Sequence, residues 1–138
     1  MSDLAEALAE THALAFKDTR SWSAEEFRSL LADPAVFVEG DAEAFVLARV
    51  VLDEAEILTL ATHPSHRRQG RARAALEGFA AKAAARGATT AFLEVASDNG
   101  AALSLYRSAQ FAEVARRRGY YRKVDGTTVD AVILSRAL

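Results

Sequence analysis

Cysteine is absent from the 138 residues, and that one absence removes disulfides, thiolate metal sites and a cysteine nucleophile from consideration. Proline occurs only twice while apolar residues make up 51% of the chain, a composition that folds into a compact core and does not stay disordered. Missing too is any uninterrupted apolar run near the roughly 18 residues of a membrane span. The opening "MSDLAEALAETHALAF" carries acids where an export signal carries a basic segment. These absences predict a soluble cytoplasmic chain with no membrane partner, and its length predicts one domain over residues 1–138. Neither G-x-x-x-x-G-K-[ST] nor G-x-G-x-x-G is present, so the P-loop and the dinucleotide fingerprint are both excluded.

What is there is a charge imbalance hidden inside a formal net charge of −2. Residues 1–60 hold 13 Asp and Glu against 4 Lys and Arg, whereas residues 61–138 hold 6 against 13. Such asymmetry points to a polyanion held by the second half and a cationic partner near the first. Nucleic acid and a small phosphorylated cofactor are both polyanions. Sparse interleaving of aromatics with the basic residues argues against direct nucleic-acid binding.

Along the chain, apolar spacing predicts a first helix from Asp3 to about Phe16 with Ser2 as N-cap. A second follows in "SAEEFRSLLAD", where Ser23 and Glu26 form an S-x-x-E capping box and Pro34 stops the helix. Three strand-like runs, "AVFVEG", "EAFVLARVVL" and "EAEILTLAT", read as a meander turning at Gly40–Asp41 and Asp53–Glu54. A long helix from Gly70 to Arg86 places Ala72, Leu76, Phe79 and Ala83 on one face, with Gly87 in the C′ position. "TTAFLEV" is a strand, "NGAALSLYRSA" a short helix, and "FAEVARRRGYY" and "DAVILSRAL" are two final strands. The fold class is therefore α+β: a mixed, mainly antiparallel sheet flanked by helices on both faces. One βαβ crossover makes the third and fourth strands parallel.

The segment "RRQGRARAAL" crowds four arginines around one glycine where the long helix starts. A helix N-terminus leaves about four N–H groups unpaired and carries about half a unit of positive charge. Gln69, Gly70, Arg71, Ala72 and Arg73 present those donors, and glycine lets a ligand approach the backbone. Arginine at that end opposes the macrodipole, so either a solvated helix start or a bound anion accounts for the segment. "RRQGRA", read as Arg67-x-x-Gly70-x-Ala72, resembles the R/Q-x-x-G-x-G/A motif of the GNAT acetyltransferases. The resemblance continues through "VVLDEAEILTLATHPSHRRQGRARAALEGF", "FLEVASDNGAALSLYRSAQF", "RRRGYY" and "WSAEEF", which are similar to the ribosomal-protein-alanine N-acetyltransferases, the RimI type. It implies the GNAT acyl-CoA N-acyltransferase fold, acetyl-CoA as cosubstrate with no metal, and a pyrophosphate held at Arg67, Arg68, Gln69, Gly70, Arg71, Ala72 and Arg73.

Residue by residue, acetyl transfer from a thioester needs a free amine, a place for oxyanion charge and a proton source for the leaving thiolate. Glu94 is a lone carboxylate in an apolar strand, opposite Leu93 and Val95 by period-two alternation. A buried ion pair and a general base both explain it, and the resemblance implies the base. Asn99 and Tyr106 are seven apart on one helical face with Leu103 between them. The resemblance implies that Asn99 bonds the pantetheine arm and Tyr106 meets the departing thiolate, Tyr106 being otherwise a core aromatic. It also implies that Leu60, Ala61 and Thr62 line the pantetheine with backbone groups, and that Tyr120 and Tyr121 lie near a peptide acceptor. His63 and His66 lack a third metal ligand nearby.

Three departures from the family pattern stand out. The strand that precedes the first helix in the family is missing, which shortens one sheet edge. Gln110 replaces a usual glycine, and Gly119 replaces an asparagine before the paired tyrosines. The implied activity is acetylation of the α-amine at a protein N-terminus, a ribosomal protein starting with alanine foremost. The alternatives are acetylation of a lysine or small amine, and an acyl-CoA-binding module without catalysis.

Overall fold

The computed structural model describes residues 3–16, 22–67 and 69–138. Among them run α1 (Leu4–Ala15), α2 (Ala24–Leu31), β1 (Val36–Asp41), β2 (Ala44–Val51), β3 (Glu54–Thr62), a 3-10 turn (Pro64–His66), α3 (Arg71–Ala85), β4 (Thr90–Ala96), α4 (Gly100–Ser108), β5 (Ala112–Arg122) and β6 (Thr128–Ala137). Asp3 caps α1 by accepting from the Ala5 N–H at 3.0 Å. The cap expected at Ser2 lies outside the described residues. At α2 the reciprocal capping box is present, Ser23 Oγ accepting from Glu26 N–H and Glu26 Oε1 from Ser23 N–H; such caps pair helix-start donors that have no intrahelical acceptor.

The sheet order is β1-β2-β3-β4-β6-β5, with β1 at one edge and β5 at the other. Both hairpin turns of the meander sit away from their expected positions, at Ala42–Glu43 and Leu52–Asp53. The first moves because the Asp41 carboxylate accepts from Glu43 and Ala44 N–H and so closes the turn from inside β1. Gly40 has another task there: at φ +99° a side chain would run into the carbonyl oxygen of Ala44.

The expected crossover from β3 through α3 to β4 is present and parallel, yet it pairs only Glu54–Glu56 with Thr90–Phe92. At the next step of β3 the register with β2 slips between Leu47 and Ala48, leaving Leu58 as an extra residue. A bulge bends its strand and increases the twist, and here it turns β3 away from β4. It also changes which side chains face which layer. Ala55 and Ile57 belong to the core under α3, whereas Leu58 and Ala61 pack towards α1 and α2.

Two cores result, one on each face of the sheet. Phe79 of α3, stacked on Phe37 with ring centroids 6.2 Å apart, anchors the first together with Leu76, Leu93, Leu134 and Tyr106. Phe27, Leu8 and Phe45 anchor the second. Of the four residues expected on the buried face of α3, Leu76, Phe79 and Ala83 are buried; Ala72 is only half-buried and Ala75 takes its place.

Both helices of the first core end alike. Gly87 N–H donates to Ala84 O and Ala88 N–H to Ala83 O; Gln110 N–H donates to Arg107 O and Phe111 N–H to Tyr106 O. This pair of bonds is a Schellman motif, whose C′ residue takes the left-handed conformation. Gly87 does so at φ +97° and Gln110 at φ +78°, so Gln110 occupies a glycine conformation with a side chain attached, at a cost of about 1–2 kcal/mol. Gln110→Gly is expected to raise unfolding stability by about 0.5–1 kcal/mol after the glycine entropy penalty. Urea denaturation measures it, and a loss of stability contradicts this assignment of strain.

Candidate active site

Beyond Glu56, the edge of β3 that faces β4 has no strand partner among the described residues. The bond from His63 N–H to Glu43 O at 2.7 Å sets the phase of the β2–β3 ladder, because hydrogen-bonded pairs alternate in antiparallel strands. Residues 59, 61 and 63 therefore turn their backbone groups towards β2, while those of Leu60 and Thr62 point into the gap. Ala61, expected beside them, spends its N–H and C=O on β2 opposite Phe45 and buries its methyl group.

From the end of this strand the chain runs through the 3-10 turn to the start of α3. Its N-cap is Gly70 at φ +74°, with no side-chain cap and no atom within 4 Å of where a Cβ would lie. The amides of Arg71, Ala72 and Arg73 have no hydrogen-bond partner among the described residues. Three uncapped donors at the positive end of a helix form an anion cradle.

The arginines around the cradle are engaged elsewhere. Arg71 pairs with Asp41, Arg67 Nη2 donates to Ala15 O at 3.4 Å, and Arg73 Nη1 donates to Ser108 Oγ at 3.0 Å. Gln69 Nε2 donates back to Ser65 O. Arg68 lies outside the described residues. Burial opposes ionisation of Asp41, but the N–H groups of Glu43 and Ala44 and the Arg71 guanidinium together outweigh it, and its carboxyl stays below the usual range. Arg73 Nε is buried without a hydrogen-bond partner among the described residues, 3.6 Å from Glu77 Oε1.

Past the paired segment, β4 carries Glu94 on the face opposite Leu93 and Val95. No helix among the described residues covers it there. The Glu94 side chain is 31% exposed and its Oε1 lies 3.5 Å from Arg117 Nη1 on β5. Sequence reasoning missed this partner: Arg117 meets Glu94 only through the registers Glu94–Ile133 and Arg117–Ala131 across β6, and no local pattern encodes a pairing two strands away. The Arg117 guanidinium also lies 5.0 Å from the Tyr120 ring, whose centroid is 5.2 Å from that of Tyr121. Partial burial raises the Tyr121 phenol pKa, and the Glu94 charge adds to that. Glu94, Arg117, Tyr120 and Tyr121 are thus one cluster.

Tyr106 approaches from the other face. It is 6% exposed within the α3-side core, edge-on to Phe111 at 5.8 Å, and the Schellman cap fixes its carbonyl. Burial pushes its phenol pKa well above the ordinary tyrosine value, and the hydroxyl has no hydrogen-bond partner among the described residues. Asn99 lies outside the helix proper as the N-cap of α4, its Oδ1 accepting from Ala102 N–H at 3.1 Å. That leaves its amide NH₂ to serve a ligand. His66 faces Glu43 at 3.3 Å, and His63 Nδ1 accepts from Ser65. A second residue the sequence did not mark is His12, buried between Phe16 and Trp22. Its Nδ1 accepts from Trp22 N–H, so Nε2 carries the proton and donates to Thr59 Oγ1 at 3.2 Å. This ties α1 and the residues leading into α2 to the bulged part of β3.

A splayed parallel pair, an uncapped helix start above it and a carboxylate on the open strand define an acyltransferase-type sheet. The sequence matches the acetyltransferase (GNAT) family over residues 2–111, and the chain belongs to that family. It is 43% identical over 96 residues to the ribosomal protein bS18-alanine N-acetyltransferase of Escherichia coli (strain K12), covering 70% of this chain and 64% of that protein. The chain thus spans just under two thirds of the length of that curated relative. It is also 34% identical over 127 residues to the N-alpha-acetyltransferase RimI of Mycobacterium tuberculosis (strain ATCC 25618 / H37Rv), covering 86% and 78% of the two chains. The crystal structure of the ribosomal-protein-S18-alanine N-acetyltransferase from Escherichia coli superposes with a TM-score of 0.85 at 34% identity, covering 96% of this chain and 86% of that one.

A raised phenol pKa has a consequence for stability. Tyr106 favours the folded state fully below the unfolded value near 10, and that contribution is lost as pH rises from there towards the higher folded value. Denaturant titrations across alkaline pH should show stability falling less steeply in Tyr106→Phe than in the wild type. Equal slopes contradict the burial of the hydroxyl.

Proposed function

We propose that the 138 residues act as one acetyltransferase domain that transfers acetyl from acetyl-CoA to the N-terminal α-amine of a protein, a ribosomal protein beginning with alanine foremost. The observation that carries this reading is the unpaired β3 edge at Leu60 and Thr62, followed along the chain by three uncapped amides of α3. A chain with both features can hold an extended pantetheine by strand-like bonds and a diphosphate by helix-start donors. The lack of a Cβ at Gly70, with open space around it, fits that ligand. The kinship with the bS18-alanine enzymes supports the acceptor. No helix of the described residues is long and apolar enough to cross a membrane, which accords with a cytoplasmic enzyme acting on ribosomal protein.

Acetyl-CoA supplies the acetyl group as a thioester. An α-amine has a pKa near 8, roughly two units below lysine, so only part of the population needs deprotonation at neutral pH. Glu94 takes that proton directly or through a water, since no helix among the described residues covers it and its carboxylate is partly solvated. Attack forms the C–N bond and breaks the C–S bond, leaving negative charge on sulfur. Tyr106 keeps its proton too tightly to surrender it to a thiolate whose conjugate acid is near pKa 8.5, so its hydroxyl stabilises that charge by hydrogen bonding. Asn99 orients the pantetheine through its free amide NH₂, and Arg67, Arg68 and Gln69 complete the phosphate loop. Tyr120 and Tyr121 receive the acceptor's first residues.

Glu94 lies on the open face and Tyr106 in the opposite core, and the gap between β3 and β4 lets both serve one ligand. With an alanine-starting peptide, Glu94→Gln and Tyr106→Phe are each expected to lower kcat/KM by about 10²-fold or more while calorimetric acetyl-CoA affinity stays unchanged. The same peptide with a blocked N-terminus should give no turnover. Turnover that survives blocking contradicts α-amine transfer, and CoA binding without turnover on any amine contradicts catalysis.

A further inference from the structure

The β5–β6 ladder is regular from Ala115 to Arg117 and then breaks: Arg118, Gly119 and Tyr120 together face the single residue Asp130 before pairing resumes at Tyr121–Val129. In an unbroken strand Arg117 and Tyr121 share a face and Tyr120 points to the other. Here the Tyr120 ring lies against both Arg117 and Tyr121, so the break brings two consecutive tyrosines to the Glu94 side of the sheet. Gly119 makes the turn at φ +59°, a left-handed conformation that glycine and asparagine both adopt.

One side chain holds this break together. Asp130 Oδ1 accepts from Gly119 N–H at 2.9 Å, Asp130 Oδ2 accepts from Arg116 Nη1 at 3.1 Å, and the Asp130 carbonyl accepts from Ser97 N–H at the end of β4. Asp130 alternates with Ala131, which is in register with Arg117 and Ala96, so its carboxylate belongs to the opposite face from Glu94. Its bond to the Gly119 N–H, followed by the Arg116 guanidinium, holds its carboxyl below the usual range; the residue is charged whenever the protein is folded near neutral pH.

We propose that Asp130 is a positioning residue for acceptor recognition, fixing the Arg118–Tyr120 bulge so that Tyr120 and Tyr121 stand together beside Glu94. It acts through the backbone of Gly119 and touches none of the reacting groups. The inference rests on the reading of the tyrosine pair as the acceptor site.

The test compares Asp130→Ala with Asp130→Asn, which keeps an oxygen for the Gly119 N–H and loses only the charge on Arg116. In Asp130→Ala the KM for an alanine-starting peptide should rise about tenfold or more, with kcat and acetyl-CoA affinity little changed, and Asp130→Asn should restore most of the loss. The tyrosinate absorbance titration of Asp130→Ala should also shift towards ordinary tyrosine, because Tyr121 leaves the shelter and charge of Glu94. That readout does not depend on any acceptor. An unmoved titration overturns the proposal, as does a parallel fall of kcat and CoA affinity, which marks general damage to the fold. A moved titration with an unchanged peptide KM also overturns it. If Tyr121→Ala then leaves KM unchanged as well, the fault lies in the acceptor reading of the tyrosines and not in the bulge.

Discussion

Parallel pairing between β3 and β4 lasts three residues and then stops, and the rest of the molecule is arranged around that separation. A parallel ladder continued to Thr62 would consume the backbone groups of Leu60 and Thr62 and bury the edge of β4. Instead, the extra residue at Leu58 bends β3 aside just where the pairing ends. The same bulge resets the side-chain alternation, so that Ile57 can serve the core under α3 while Ala61 serves the core under α1 and α2. The β3–β4 ladder thus ends at Glu56 while a core still packs on each face of the sheet.

Glu94 and Tyr106 lie on opposite faces of the sheet, one on β4 and the other on α4. Glu94 stands on the open face with Arg117 and the paired tyrosines, whereas Tyr106 is packed in the α3-side core with Leu76, Phe79 and Phe111. The charge pattern has a comparable logic. Arginines gathered at a helix N-terminus are unfavourable with the macrodipole, yet Asp41 neutralises Arg71, and Arg67 and Arg73 are turned to Ala15 and Ser108. The described side chains buttress the loop, and the backbone amides of Arg71, Ala72 and Arg73 are left unpaired among the described residues.

Much of this was legible in the residues, and the parts that were not share a cause. Ser23 with Glu26, Gly87 after an alanine-rich helix, and the glycine within the arginine cluster each carry a local signal that sets a cap or a loop. The order of helices and strands, with its one crossover, follows from such signals. Local patterns say nothing about cross-strand register, and most of the misjudged features depend on it or on hydrogen bonds formed only after folding. The first turn moved because Asp41 closes its own hairpin. Ala61 differs from Leu60 and Thr62 because of a ladder phase fixed at His63 and Glu43. Arg117 finds Glu94 two strands away, and Asp130 controls a bulge whose existence the run "RRRGYY" does not announce. Asn99 reads as the first residue of a helical face and is in fact its cap.

Residue-resolved amide hydrogen exchange with and without acetyl-CoA probes the separation of β3 from β4. New protection is expected at Leu60, Thr62 and the amides of Arg71, Ala72 and Arg73, with Ala61 unchanged because its N–H is already bonded to β2. Protection confined to other elements, with Leu60 and Thr62 exchanging as freely in the presence of acetyl-CoA as in its absence, would contradict it.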